Sequence, residues 1–329
     1  MSNSKLLIIP QNWLGDIVMS QTLLKKIKFE NPNTSIDVIV NSKFKGLVER
    51  MPEINKPIIL DCGHKELNFF KRLNVAKKIK GNYDRSIVLS RSMKSALIPY
   101  LAKIPIRTGE LGESRYIMIN DLKKFNKNDR RKTALRYVSM FSKKEETLDE
   151  KYFPSLKFDS KNIKILFEKY KLNLEKKIII FAPGAAFGPS KMWPVEKFKE
   201  LGKKLNQDFF ILILGSNNEK IIGDQILTNK NMINLCGKTS ITDAADLMHV
   251  SEFCISNDSG LMHLASATNT KSISIYGATS PELTPALTNN KEIHYKGMTC
   301  SPCFKKICKY GHYNCLEEIQ VDDVFKSFK

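Results

Sequence analysis

The chain has 329 residues, enough for about two domains, and its 42% hydrophobic content suffices for sizeable cores. It carries no low-complexity tract, no solenoid repeat and no apolar run approaching the ~18 residues of a membrane helix, so disordered, repeat and membrane-spanning classes are excluded. Lys and Arg number 53 against 34 Asp and Glu, and the resulting +19 favours an anionic partner: nucleic acid, anionic lipid or a phosphorylated substrate.

In chain order, residues 6–9 are a short apolar run that predicts a buried strand. A polar loop at 10–14 leads to a helix over 15–29, stopped by Asn31-Pro32. Strands are expected at 36–40, 57–60 and 86–89. Helices are expected at 43–51, 66–80 and 92–103, the last with Pro99 as a kink or early stop. The charged segment 147–158, containing Pro154, breaks this alternation and marks a domain boundary, giving domains 1–155 and 156–329. A second series follows. It has strands at 177–182, 209–214, 232–235, 253–256 and 272–276, with helices at 195–205, 218–227, 242–248 and after residue 260. Alternating strands and helices predict parallel sheets covered on both faces, an α/β class repeated in tandem. In such sheets ligands bind beyond the carboxyl ends of the strands.

The polar loops fall at those ends. Asp16 opens the first helix, where a first-turn acid or cap is the plain reading and a general base the functional one. The loop 183–194 combines Gly184, Ala185, Ala186 and Gly188, which admit a ligand close to the backbone, with Lys191, a point charge suited to phosphate. Gly215 and Ser216 lead to Glu219, which serves as a turn cap or as an acceptor for a ribose diol. The run Asn257-Asp258-Ser259-Gly260 joins a strand to a helix, and helix starts cap readily and attract phosphate. His263 lies one turn on, on the same face as Ser259.

These stretches, together with Tyr276-Gly277-Ala278-Thr279-Ser280-Pro281, Ser92-Met93-Lys94-Ser95-Ala96 and Ile104-Pro105-Ile106-Arg107-Thr108-Gly109, resemble the ADP-heptose:lipopolysaccharide heptosyltransferases of glycosyltransferase family 9, nearest to the type II enzymes. The resemblance covers nearly the whole chain. It implies a GT-B fold, two Rossmann-like domains with parallel sheets facing across a central cleft, the last helix able to pack back on the first domain. It implies an inverting transfer of L-glycero-D-manno-heptose from ADP-heptose to the heptosyl-Kdo2-lipid A inner core. Action on another core acceptor, as by types I and III, is the alternative, and a non-catalytic anion- or nucleic-acid-binding protein the remaining one. No helix-turn-helix, RNP or zinc-finger motif supports nucleic acid.

By resemblance, Asp16 is the base and no cofactor is required for the chemistry. Gly184, Ala185, Ala186, Lys191, Gly215, Ser216, Glu219, Asp258, Ser259, Gly260 and His263 hold the donor. Of these, Asp258 is expected to cap its helix or bind a heptose hydroxyl, since it would repel the diphosphate. Trp13, Gly15, Arg91, Lys94, Arg107 and Arg115 are the expected acceptor contacts. The acceptor's carboxylates and phosphates in an anionic membrane give the +19 a purpose. The N-terminus makes a poor signal peptide, so the expected location is the cytoplasmic face of the inner membrane, peripherally bound.

Cys62, Cys236 and Cys254 sit singly in apolar surroundings and are read as small core residues. Cys300-x2-Cys303-x4-Cys308-x6-Cys315 is zinc-like in count but irregular in spacing. A structural zinc is one expectation there, and reduced thiols in a loop the other.

Overall fold

Short aliphatic runs buried on both faces form the strands, as parallel sheets covered by helices require. The computed structural model describes residues 4–63, 66–142, 144–145, 147–172 and 175–328. The chain divides into two compact units, Met1–Lys157 and Phe158–Lys329.

The first unit contains β1 (Lys5–Ile9), α1 (Leu14–Glu30), β2 (Ser35–Val40), α2 (Lys45–Glu49), β3 (Lys56–Ile59), α3 (Phe69–Ile79), β4 (Arg85–Val88), α4 (Met93–Leu101), β5 (Ile106–Gly109), β6 (Asp121–Leu122), α5 (Lys127–Arg131) and α6 (Thr133–Val138). Its six strands are all parallel, in the order β3-β2-β1-β4-β5-β6. β1 is central, pairing Leu6 with Ile36 on one side and with Arg85 on the other. That position explains why Leu6, Leu7 and Ile8 form an unbroken apolar run rather than an alternating one.

The second unit contains α7 (Ser160–Tyr170), β7 (Lys177–Ala182), α8 (Val195–Leu205), β8 (Phe209–Ile213), α9 (Lys220–Ile226), β9 (Met232–Asn234), α10 (Ile241–His249), β10 (Phe253–Asn257), α11 (Gly260–Ser266), β11 (Lys271–Tyr276), β12 (Lys291–Tyr295), α12 (Asn314–Glu317) and α13 (Val321–Phe325). Its strands run β12-β11-β10-β7-β8-β9, again all parallel. Counted from each unit's own first strand, both sheets have the order 3-2-1-4-5-6. The order reverses between β1 and β4, and again between β7 and β10. Loops leaving those strand pairs diverge and open a crevice. Both units therefore have the Rossmann-like architecture of the GT-B class.

Several elements escape a reading of local pattern. β5 is four residues ending in glycine, and β12 is an edge strand with charged positions, which edges favour. α7 follows the linker directly: the Asp159 side chain accepts from the Lys161 and Asn162 N–H groups and starts the helix. α3 begins at Phe69 rather than 66, because Asn68 takes a left-handed conformation (φ 43°) before it. Pro99 does not stop α4, which runs two residues further. α13 packs on α8, and Val321 and Val324 join the core of the second unit.

Candidate active site

At the β7–β10 reversal, Asn257 ends β10 with no exposed surface. Its Nδ2 donates to the Pro183 carbonyl at 2.6 Å, and its Oδ1 accepts from the Trp193 N–H at 2.9 Å. One amide thus fastens both ends of the loop that follows β7. The neighbouring Asp258 fastens it near its close: Lys191 Nζ donates to Asp258 Oδ2 at 2.6 Å, and Thr279 Oγ1 donates to the same oxygen at 2.5 Å. Lys191 also lies over the Phe187 ring. Its side chain is 15% exposed and that of Asp258 3%, so this is a nearly buried ion pair, whose geometry matters more than its net energy.

Of the two roles expected for Asp258, capping its helix is not the one it takes here. It does not cap α11; the N-cap position is Ser259, which makes no side-chain cap bond. Asp258 instead holds the lysine. The Ser259 hydroxyl oxygen and His263 Nδ1 are buried without a protein partner. Burial pushes the His263 imidazole down to about 4, with Lys191 adding to the effect and Asp258 opposing it. The ring is therefore neutral at pH 7. Gly260 is the first residue of α11, which at seven residues brings only a short dipole.

Gly184 and Gly215 serve close approach. A Cβ on Gly184 would meet the Glu219 carboxyl group at 2.6 Å, and one on Gly215 the Cys236 sulfur at 2.9 Å. Glu219 closes a capping box: its Oε2 accepts from the Ser216 N–H and hydroxyl, both at 2.5 Å. Its structural role is therefore a cap, whatever else that carboxylate binds. In the same loop the Ala185 carbonyl accepts from the Gly188 N–H at 3.2 Å, and Ala186 is exposed.

In the first unit, Asp16 lies in the first turn of α1, whose N-cap is Trp13. The Tyr137 hydroxyl, carried by α6, donates to Asp16 Oδ1 at 2.7 Å, and Gln11 Nε2 donates to the Tyr137 oxygen at 3.1 Å. Burial, then the Asp16 charge, pushes the Tyr137 hydroxyl well above its usual range, so it stays a neutral donor. Next to it on α6, Arg136 Nη1 donates to Glu110 Oε1 at 2.7 Å, and Arg130 donates to the other oxygen at 2.9 Å. A buried carboxylate between two arginines anchors the helix that presents Tyr137.

The six expected acceptor contacts divide. Trp13 is 52% exposed. Gly15 is buried within α1. Lys94 is in the first turn of α4, and Arg91, just before that helix, faces Glu110 at 3.5 Å with its side chain 45% exposed. Arg115 is buried, and its guanidinium donates to the carbonyls of Glu110, Ser90 and Ser92. Arg107 donates to the carbonyls of Met118 and Ile104. These last two are frame residues: they satisfy orphan carbonyls of the loops around β5. Tyr137 was not legible in the sequence, since it lies in no motif; Thr279 and Gln11 fall within stretches the sequence singles out, but only their contacts show what they do.

Cys236 and Cys254 are buried, as expected, and burial pushes each thiol up to about 12, whereas Cys62 is only half-buried and is not a core residue. Cys300, Cys303, Cys308 and Cys315 are free thiols that line one cavity. Among the described residues no group of three or more His, Cys, Asp or Glu side chains is placed with metal-holding geometry.

A family model described as Glycosyltransferase family 9 (heptosyltransferase) matches residues 72–314. The chain is 37% identical over 303 residues to the lipooligosaccharide heptosyltransferase 2 of Haemophilus influenzae, covering 88% of this chain and 87% of that one. It is 33% identical to the lipopolysaccharide heptosyltransferase 2 of Escherichia coli, with 88% and 87% covered. The solved ADP-heptose LPS heptosyltransferase II of E. coli superposes with a TM-score of 0.85 at 30% identity, over 98% of this chain and 97% of that one. With the motif residues gathered at both sheet reversals and a match spanning well over half its length, the chain belongs to glycosyltransferase family 9, the heptosyltransferases.

Proposed function

We propose that the chain transfers L-glycero-D-manno-heptose from ADP-heptose to the first heptose of heptosyl-Kdo2-lipid A, inverting the anomeric carbon. The observation that carries this reading is the stapled Lys191 loop beside the unpartnered Ser259 hydroxyl, in a chain 37% identical to a heptosyltransferase 2.

The second unit holds the donor. The Lys191 ammonium keeps donors beyond the one given to Asp258, and these, with the Ser259 hydroxyl and backbone N–H groups of the loops, receive the diphosphate. Asp258 offsets much of the lysine's charge, so its contribution is to fix the ammonium where charge develops rather than to add a strong field. Neutral His263 stands beside that pair as a hydrogen-bonding group. Gly184 and Gly215 let the nucleotide approach, and Glu219 is the candidate for its ribose. In the first unit, Asp16 removes the proton from the acceptor hydroxyl, whose oxygen bonds to C1 as the C1–phosphate oxygen bond breaks and ADP leaves. Tyr137 keeps the carboxylate oriented. Trp13, Arg91 and Lys94 are the acceptor contacts left accessible, and the +19 chain meets the acceptor at an anionic membrane surface.

ADP release is the test, measured with lipid A acceptors bearing zero, one or two heptoses. Turnover is expected on the one-heptose acceptor; turnover only on the zero- or two-heptose acceptor would reassign the chain to the type I or III reaction. Asp16→Ala should lower kcat by about 1,000-fold or more while leaving ADP affinity within about twofold. Lys191→Ala should weaken ADP-heptose binding by about tenfold or more. Normal turnover by Asp16→Ala would remove it as the base.

A further inference from the structure

The C-terminal cysteines gather around one cavity, although their thiols are not set in metal-holding geometry there. Cys300, Cys303, Cys308 and Cys315 line the same cavity of about 160 Å³, a space large enough for the thiols to turn inward around a central ion. Cys315 lies within electrostatic reach of all three others. The segment after Cys308 curls tightly, with left-handed backbone at Gly311 (φ 76°) and Tyr313 (φ 49°). This curl turns four successive N–H groups, those of Tyr310, Gly311, His312 and Tyr313, onto the Cys308 sulfur. N–H donors around a sulfur stabilise thiolate and are the outer-shell support that metal-bound sulfurs need. His312 is otherwise engaged: its Nδ1 accepts from the Asn314 N–H at 3.0 Å, and its ring stacks on Tyr310. The donor set is therefore four sulfurs, which suits tetrahedral zinc or iron. Lys305 and Lys309 line the same cavity and offset the negative charge that four thiolates leave around a divalent ion.

The same segment is sewn to the Lys191 loop. The Ser190 N–H donates to the Lys306 carbonyl at 3.3 Å, and its hydroxyl donates to the Lys305 carbonyl. The Phe304 N–H donates to the Ala278 carbonyl at 2.8 Å, and the Ala278 N–H to the Ser190 carbonyl at 3.1 Å. Ser301 Oγ donates to the Gly277 carbonyl at 2.5 Å. At Gly188, whose φ of 143° favours glycine, a Cβ would meet the Lys306 carbonyl at 2.8 Å.

We propose that Cys300, Cys303, Cys308 and Cys315 bind one zinc or iron ion as a structural four-thiolate site that fixes the backbone of the Ser190–Lys191 loop. Each thiol gives up its proton to solvent and its sulfur becomes a ligand, with no change of oxidation state. The ion's role is to hold the knuckle that holds the loop. The coupling to donor binding rests on the donor reading above; the metal site does not.

The test is zinc and iron content of the full chain, purified without chelator, by plasma mass spectrometry. About one ion per chain in total is expected, and less than about a tenth would overturn the site. Cys303→Ser, at an exposed position, should fold and lose the ion, whereas Cys62→Ser, outside the cluster, should keep it. Equal metal in both variants would overturn the ligand assignment. Cobalt exchange should give the sulfur-to-cobalt charge-transfer absorption of a tetrahedral thiolate site; octahedral cobalt spectra would overturn it. ADP affinity should fall about fivefold or more in metal-free Cys303→Ser. Unchanged affinity after loss of the ion would overturn the coupling. Failure of the metal-loaded wild type to bind ADP would instead count against the donor reading, with the metal content standing as its own result.

Discussion

Two titrating side chains show how the site is set residue by residue. Asp16 alone in a first turn would be an ordinary helix acid; the Tyr137 hydroxyl at 2.7 Å fixes one of its oxygens. His263 is held neutral by burial, down to about 4, against an ordinary value near 6.5. Between those values the unfolded chain binds a proton that the folded chain refuses. Stability from this residue is therefore whole above about pH 6.5 and is lost as pH falls toward about 4. From pH 7 to pH 5 the wild type should lose roughly 2 kcal/mol more than His263→Gln, read as the difference in urea midpoints multiplied by m. Parallel losses in the two proteins would mean that His263 is not the proton acceptor that matters.

At the scale of elements, the loop after β7 is positioned by the end of β10 rather than by its own sequence. Asn257 binds both ends of the loop and Asp258 binds Lys191 near its close. Trp193, buried at the loop's end, donates from Nε1 to the Ile319 carbonyl at 3.1 Å, tying it also to the C-terminal segment. Removing the Asn257 amide leaves a buried N–H and a buried carbonyl unpaired. Asn257→Ala should thus cost about 2–4 kcal/mol in unfolding free energy and weaken ADP binding together with it. Full stability, read from chemical denaturation, would show that water or a shifted backbone replaces the amide. Gly277 belongs to the same mesh: a Cβ there would meet the Ser190 carbonyl at 2.8 Å and Leu316 at 2.6 Å, so the strand end, the loop and α12 close around a position without a side chain.

At the scale of the molecule, the +19 charge is dispersed, and no helix among the described residues is long and apolar enough to cross a membrane. On the proposed function, approach to an anionic bilayer would be electrostatic. Sedimentation with vesicles containing anionic lipid should show binding that falls at least about tenfold between 0.05 M and 0.5 M salt, with little binding to neutral vesicles. Salt-independent binding would point to apolar insertion instead.

The sequence by itself determined the tandem α/β class, because runs such as Leu6-Leu7-Ile8-Ile9 and Phe209-Phe210-Ile211-Leu212-Ile213-Leu214 are local and strand-sized. It also located the loops at strand ends, since glycine, proline and polar residues break those runs. What it left open depends on contacts distant in the chain. Asp258 reads as a cap beside Ser259, yet Lys191, far upstream, makes it a lysine anchor. Arg107 and Arg115 read as ligand contacts, yet their guanidiniums are spent on neighbouring carbonyls. Tyr137 carries no motif and meets Asp16 only because α6 packs on α1. Periodicity and turn chemistry act over a few residues, whereas the partner of a buried charge is chosen by the fold. Only the tertiary structure could say which side chains are already satisfied and which are left to a ligand.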